Sequence, residues 1–265
     1  MPEISSNNKK IAKNTVFLYI RKIVTLVLGL YTSRLLLQTL GVDDFGLFGL
    51  VGSLIMLFDS LRGIFSSSVQ RFLNIEKQGD LSVQNEIFNM GFIIHVGIAI
   101  VFLVVVEIGG LIMIQDLNIS PDKIATAHWV LQFSLIAAAV SIVNVPYDAL
   151  MLSKECFDAM AVLGILFSLL RIGLIFLLLF FPIERVVLYS FFVLLINVLS
   201  LLSIVIYCKV KYPQIANLKY TKNFKLFKDM TQFASWNFFG NLGYSLTNQG
   251  VNIILNLFGG VVANA

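Results

Sequence analysis

Seven stretches of this sequence are each long and apolar enough to cross a bilayer, and that excludes most folds at once. A spanning helix needs about 20 predominantly apolar residues. The runs at about 14–40, 46–70, 87–114, 124–146, 158–181, 186–208 and 231–258 meet that requirement. None shows the strict alternation of a strand, and in hydrocarbon the backbone must satisfy its own hydrogen bonds. The expected fold is an all-α polytopic helical bundle in a membrane. Composition agrees: 58% of the 265 residues are hydrophobic and 13% charged, against about a quarter charged in soluble domains.

The first apolar run is too long for a signal-peptide core, and no small-residue cleavage pattern follows it, so it counts as a span. Placing the N-terminus inside puts 12 Lys and Arg residues on the cytoplasmic side, 2 outside and five within spans. The positive-inside rule then selects a cytoplasmic N-terminus. Cys156 and Cys208 fall on the reducing side without a CxxC or a metal-ligand set, and read as ordinary small residues. The outer loops, "GVDD", "QDLNISPDK" and "PIER", are short. The longest loop, "KVKYPQIANLKYTKNFKLFKDM" at 209–230, is cytoplasmic and basic, and reads either as a connector or as a segment lying on anionic lipid.

Ionisable residues inside spans carry the functional information, because a cation at mid-bilayer costs about 2.5 to 3.5 kcal/mol and normally faces protein or water. Arg21 and Arg34 lie in a helix of about 40 Å against a core of about 30 Å, so snorkelling explains either one. Arg171 sits near the middle of its span. Its partner is an acid such as Asp59 or Glu107, water or a ligand. In the second span Asp59 and Arg62 stand at i, i+3, and Gly49, Gly52, Met56, Gly63, Ser66 and Gln70 share the stripe. Small residues alone indicate helix packing; with the charged pair, a cavity wall fits better. In the seventh span Asn237, Asn241, Ser245, Asn248, Asn252 and Asn256 follow one another at three or four residues, an arc of about 100° on one helix face. Such amides either bond neighbouring helices or line a path for a hydroxyl-rich ligand. Glu107 and Asp59 are candidate ion-coupling groups.

His95 and His128 have no catalytic spacing to Ser, Cys or Asp, and no P-loop, Gly-rich nucleotide turn or HExxH occurs. The expectation is no enzyme, no metal, no cofactor and no nucleic-acid partner.

"RLLLQTLG" at 34–41 is echoed by "NIILNLFG" at 252–259, an offset of 218 residues. The offset places the echo where a second six-helix unit would begin, and transporters are often built from such repeats. The segments "NNKKIAKNTVFLYIRKIVTLVLGLYTSRLLLQTLGVDDFGLFGLVGSL", "SSSVQRFLNIEKQGD", "AHWVLQFSLIAAAVSIVNVPYDALMLSKE" and "FASWNFFGNLGYSLTNQGVNIILNLFGG" resemble the Wzx-type polysaccharide and O-antigen flippases of the multidrug/oligosaccharidyl-lipid/polysaccharide exporter superfamily. The most specific parts are "SRLLLQTLGVDDFGLF" and "VPYDALMLSKE".

The resemblance implies a multi-pass carrier of the bacterial inner membrane, with two six-helix lobes around a cationic cavity. It moves an undecaprenyl-diphosphate-linked glycan to the outer leaflet for O-antigen or other surface-polysaccharide assembly, in company with membrane lipids and other assembly proteins. Arg21, Arg34 and Arg62 match its cavity arginines and Arg171 its fifth-helix cation; on that reading the amide stripe read from the spacing of the seventh span, Asn237, Asn241, Asn248 and Asn252, would face the sugar. Residues 1–229 then form the first lobe and 230–265 the first helix of a second, so the chain is expected to be about half a transporter. A multidrug or small-cation exporter of the same superfamily should instead present uncompensated acids in its spans. A membrane enzyme should show a substantial outer loop or a catalytic His, and a non-transporting fragment is the remaining alternative.

Overall fold

The computed structural model describes residues 2–116, 120–181 and 183–237, with the side chains at 2–14, 50, 53–65, 113, 115 and 116 left out of the description. Six long helices follow one another: α1 (Pro2–Leu40), α2 (Val42–Ile75), α3 (Leu81–Asp116), α4 (Ile124–Ser153), α5 (Phe157–Leu177) and α6 (Arg185–Lys211). Residues 224–237 are again helical, and no strand occurs among the described residues. Five of the helices, all but α2, are long and apolar enough over their described residues to cross a membrane. The fold is all-α and polytopic, as the apolar runs require. The seventh expected span begins within the helix over 224–237, and most of it lies outside the described residues.

Local chemistry sets the joints. α1 turns into α2 at Gly41, whose φ of +83° only glycine adopts without strain. α4 ends in a Schellman motif: the Cys156 amide donates to Met151 O (2.9 Å) and the Glu155 amide to Leu152 O (3.1 Å). Glu155 occupies the left-handed position there, with φ +58°, and its carboxylate pairs with Lys77 of the α2–α3 turn. Asp80 caps α3, its Oδ1 accepting the Ser82 amide at 2.8 Å. Pro146 sits inside α4 without ending it, as membrane helices tolerate when neighbours satisfy the freed carbonyl.

α4 is the packing hub, held against α2, α3 and α6, while α1 packs on α5. Its span is 56% buried against 11% for those of α1 and α5, whose apolar faces are largely uncovered by the described residues. Where helices approach closely, glycine is the reason: a Cβ on Gly91 would lie 2.9 Å from Val69 Cγ2, and one on Gly110 2.7 Å from Leu131 Cδ2.

The two ends of the bundle are distinct. At one end Lys77 pairs with Glu155, and the Lys154 ammonium donates to Gln84 Oε1 at 2.6 Å. At the other, Lys123 pairs with Asp44 at 2.9 Å, Thr126 donates to Glu184, and Arg185 Nη1 donates to Thr39 O at 3.1 Å. Burial holds the Lys154 ammonium below the ordinary lysine range, with the nearby Lys77 charge adding to the effect.

Candidate functional site

α1, α4, α5 and α6 line a half-open cavity of about 230 Å³. Its polar lining comes from Arg21 on α1, Ser141, Asn144 and Asp148 on α4, and Asn197 and Ser200 on α6. The spacing of +3 and +4 on α4 keeps its three polar groups on one helix face, turned inward by the packing of α4 against α6. Met151, Leu163 and Phe167 complete the wall.

Arg21 enters because α5 has Gly164 opposite it: a Cβ there would lie 3.2 Å from Arg21 Nε. The backbone carbonyl of Arg21 accepts the Thr25 hydroxyl at 2.7 Å. Its guanidinium, half-buried, makes no ion pair with any described residue. Asn144 Nδ2 donates to Asp148 Oδ2 at 3.2 Å, whereas Asn144 Oδ1 is buried without a hydrogen-bond partner among the described residues. Asn197, which also lines the cavity, donates Nδ2 to Val193 O of its own helix at 2.9 Å. A chamber so lined offers a cationic donor, a carboxylate, two amides and two hydroxyls to one guest.

The other expected site residues are placed differently. Arg34 is solvent- or lipid-exposed on α1 and does not line this cavity. Arg171 lies two turns beyond Gly164 on α5, about 10 Å farther along the helix. Arg171 Nε is buried without a hydrogen-bond partner among the described residues. Of the two acids expected as its partner, Glu107 is engaged elsewhere: Gln132 Nε2 donates to both its carboxylate oxygens at 2.8 Å. The Asp59 and Arg62 side chains, and Asn241, Asn248 and Asn252, lie outside the described residues. Asn237 is described, and its Nδ2 donates to Ser67 Oγ of α2 at 3.3 Å. On the α2 stripe, Cβ atoms added to Gly49 and Gly52 would meet nothing within 4 Å, so these glycines border open space rather than a tight helix contact.

Ser141, Asn144, Asp148, Asn197, Ser200 and Gly164 belong to the site without having been singled out in the sequence. The one available signal was the run of polar residues at helical spacing through "SIVNVPYD". His95 is a buried core residue whose Nδ1 lies 2.7 Å from Gly91 O. No group of three His, Cys, Asp or Glu residues able to hold a metal occurs among the described residues.

The sequence matches no protein-family model and no curated protein. Solved structures share the fold. A transporter described as "Reverse polarity of binding pocket suggests different function of a MOP superfamily transporter from Pyrococcus furiosus Vc1 (DSM3638)" is similar with a TM-score of 0.74 and 15% identity, over 97% of this chain and 57% of that one. A MATE protein in complex with MaD3S superposes with a TM-score of 0.75 at 17% identity, over 97% of this chain and 58% of that one. An outward-facing multidrug resistance MATE family transporter of the MOP superfamily gives 0.75 at 16% identity, over 95% and 56%. The chain thus spans a little more than half the length of these proteins, and over that length it has the multi-pass membrane fold of MATE-type transporters of the MOP superfamily.

Proposed function

We propose that the chain forms the first lobe, 1–229, and the opening helix of a second, 230–265, of a flippase. Its cargo is a lipid-diphosphate-linked oligosaccharide, of undecaprenyl type, carried across the bacterial inner membrane for surface-polysaccharide or O-antigen assembly. The observation that supports this reading best is the cavity that brings Arg21, which makes no ion pair among the described residues, beside Ser141, Asn144, Asn197 and Ser200. A guanidinium in a low-dielectric chamber attracts a diphosphate far more strongly than in water. Amides and hydroxyls, one of them the unpartnered Asn144 Oδ1, replace the water a sugar gives up. Arg171, buried at Nε and without an acid among the described residues, adds a second cation along the same α1–α5 seam. The sparsely buried spans of α1 and α5 suit a cargo whose lipid tail stays in the bilayer.

The test is Arg21→Ala beside Arg21→Lys in the protein at its native length, read as surface glycan at matched protein level. Loss in Arg21→Ala with partial retention in Arg21→Lys is expected. Normal glycan in Arg21→Ala overturns the reading.

A second reading, a multidrug or small-cation exporter, draws on Asp148 in the same cavity and on the multidrug description of one solved structure of this fold. It predicts that Asp148→Asn abolishes efflux of a cationic dye while Arg21→Ala leaves efflux intact.

A further inference from the structure

Beyond the cavity, the segment that leads from α6 into the helix over 224–237 has a built character that a plain connector does not need. Its backbone is tied down by side chains of α3. Asn85 Nδ2 donates to Ile215 O (2.8 Å) and Asn217 O (2.7 Å), and Asn89 Nδ2 donates to Asn217 O (3.0 Å) while its Oδ1 accepts the Lys219 amide (2.8 Å). Thr221 donates to Glu86 at 3.2 Å, and Asn223 caps the helix by accepting the Leu226 amide at 2.9 Å. The helix then seats Leu226, Met230, Phe233, Ala234 and Asn237 inward, at the spacing of one buried face. Ser68 Oγ donates to Met230 O at 2.9 Å, and Arg71 lies 4.2 Å over the Phe233 ring.

What this scaffold leaves outward is four lysines and a set of aromatic rings. Lys219, Lys222, Lys225 and Lys228 are all exposed, and none makes an ion pair with a described residue. Tyr220, Phe224 and Trp236 are 79%, 74% and 71% exposed, and Phe224 stacks on Phe227 with ring centroids 6.2 Å apart. Among 212–237 the one acid is Asp229. On neighbouring elements Glu86 accepts from Thr221 and Glu155 pairs with Lys77. Exposed rings interleaved with unpaired cations, on a backbone held rigid at the end of a transmembrane bundle, match the chemistry of a headgroup layer: rings enter the acyl boundary while ammonium groups meet phosphate.

We propose that residues 218–236 form a docking platform for anionic phospholipid of the leaflet at this end of the bundle, which selects charged over zwitterionic headgroups. This inference is independent of the cargo. It depends on the charge count of this end, where Lys and Arg accumulate as a cytoplasmic face demands.

The chain has two tryptophans, Trp129 and Trp236, so Trp129→Phe leaves Trp236 as a reporter inside the platform. The full chain with that substitution is reconstituted in bilayers mixing ordinary lipid with brominated phosphatidylglycerol or with brominated phosphatidylcholine, and quenching of Trp236 gives the relative affinity for the two headgroups. The expected preference for the anionic lipid is about fivefold or more. It should fall to parity when Lys219, Lys222, Lys225 and Lys228 are all changed to Gln, and shrink in wild type as salt is raised. In Trp236→Phe, Trp129 on α4 reports a lipid environment that the four substitutions leave unchanged. Equal quenching of Trp236 by both lipids, a preference that survives the four substitutions, or an equal change at Trp129 overturns the proposal.

Discussion

Replacing Gly164 by alanine separates crowding at the cavity from helix stability, because α5 carries its own control. An alanine in a helix interior is favoured over glycine by up to about 1 kcal/mol. At Gly173, where an added Cβ meets nothing within 4 Å, that gain should appear undiminished, raising Tm by about 2–4 °C for a chain of this size. At Gly164 the same methyl lies 3.2 Å from Arg21 Nε and 3.9 Å from Arg21 Cδ and Cγ. Favourable carbon contacts begin near 3.5 Å, so the overlap with Nε is a few tenths of an ångström. The Arg21 side chain must give way, and an off-rotamer χ angle costs about 0.5–1.5 kcal/mol. Gly164→Ala should therefore leave Tm near wild type, trailing Gly173→Ala, while displacing the guanidinium from the chamber and lowering surface-glycan output. In an Arg21→Ala background the penalty disappears, and Gly164→Ala should then gain as much stability as Gly173→Ala. That coupling is read by thermal unfolding in detergent, with no transport assay. If Gly164→Ala matches Gly173→Ala in stability with Arg21 present, Arg21 does not occupy the space that Gly164 provides and the cavity assignment fails.

The tight glycines on α3 should rank by the stiffness of what they meet. Gly91→Ala pushes on the branched Cβ of Val69 and should cost about 1–3 kcal/mol, whereas Gly110→Ala meets the outer methyls of Leu131, which turn aside more cheaply; equal losses of Tm would refute that ranking. Asn85→Ala removes the side-chain donor from the Ile215 carbonyl and one of the two from the Asn217 carbonyl, so hydrogen exchange should rise across 212–223 while α4 stays protected; unchanged exchange would show that the loop holds without that amide. Asp80 carries a pKa held below the ordinary carboxylate value by its bonds to Ser82. A group of this kind stabilises above its unfolded pKa, and the contribution is lost as pH falls through the lower folded one. Asp80→Asn keeps the cap geometry and should flatten that acid limb of the stability profile; an unchanged limb would assign the acid dependence to other carboxylates.

The helices were legible because lipid thickness writes itself into the sequence as apolar runs, and the helix ends were not, because there the chain leaves hydrocarbon and polar contacts take over. α3 begins at Leu81, six residues before its expected start. The extra turns carry Gln84 and Asn85, whose polarity breaks an apolar window yet which are buried, and with Asn89 a little farther on they grip Lys154 and the 215–219 backbone. α4 continues past Pro146 to Ser153, since a proline costs little where the freed carbonyl has other partners. The seventh helix likewise begins at residue 224 rather than about 231, its first turns made of the lysines and phenylalanines of a headgroup layer.

The site divides along the same line between local and tertiary information. Arg21 was visible because a cation in an apolar helix is costly wherever it faces, and its cost calls for a reason. Asn144, Asp148 and Asn197 were invisible as a group because their importance comes from α4 meeting α6, a contact that no single helix encodes. Arg171 shows the limit of reasoning from cost alone. The burial of its Nε fits its place in the span, but what it faces depends on depth along the helix: Gly164 opens space for Arg21, whereas Arg171 lies two turns farther along α5. A diphosphate handed from one guanidinium to the other would travel about 10 Å along α5, roughly a third of the hydrocarbon thickness. In such a relay, cations spread along the seam serve translocation better than cations gathered in one pocket, because a single deep trap would hold the headgroup rather than pass it on.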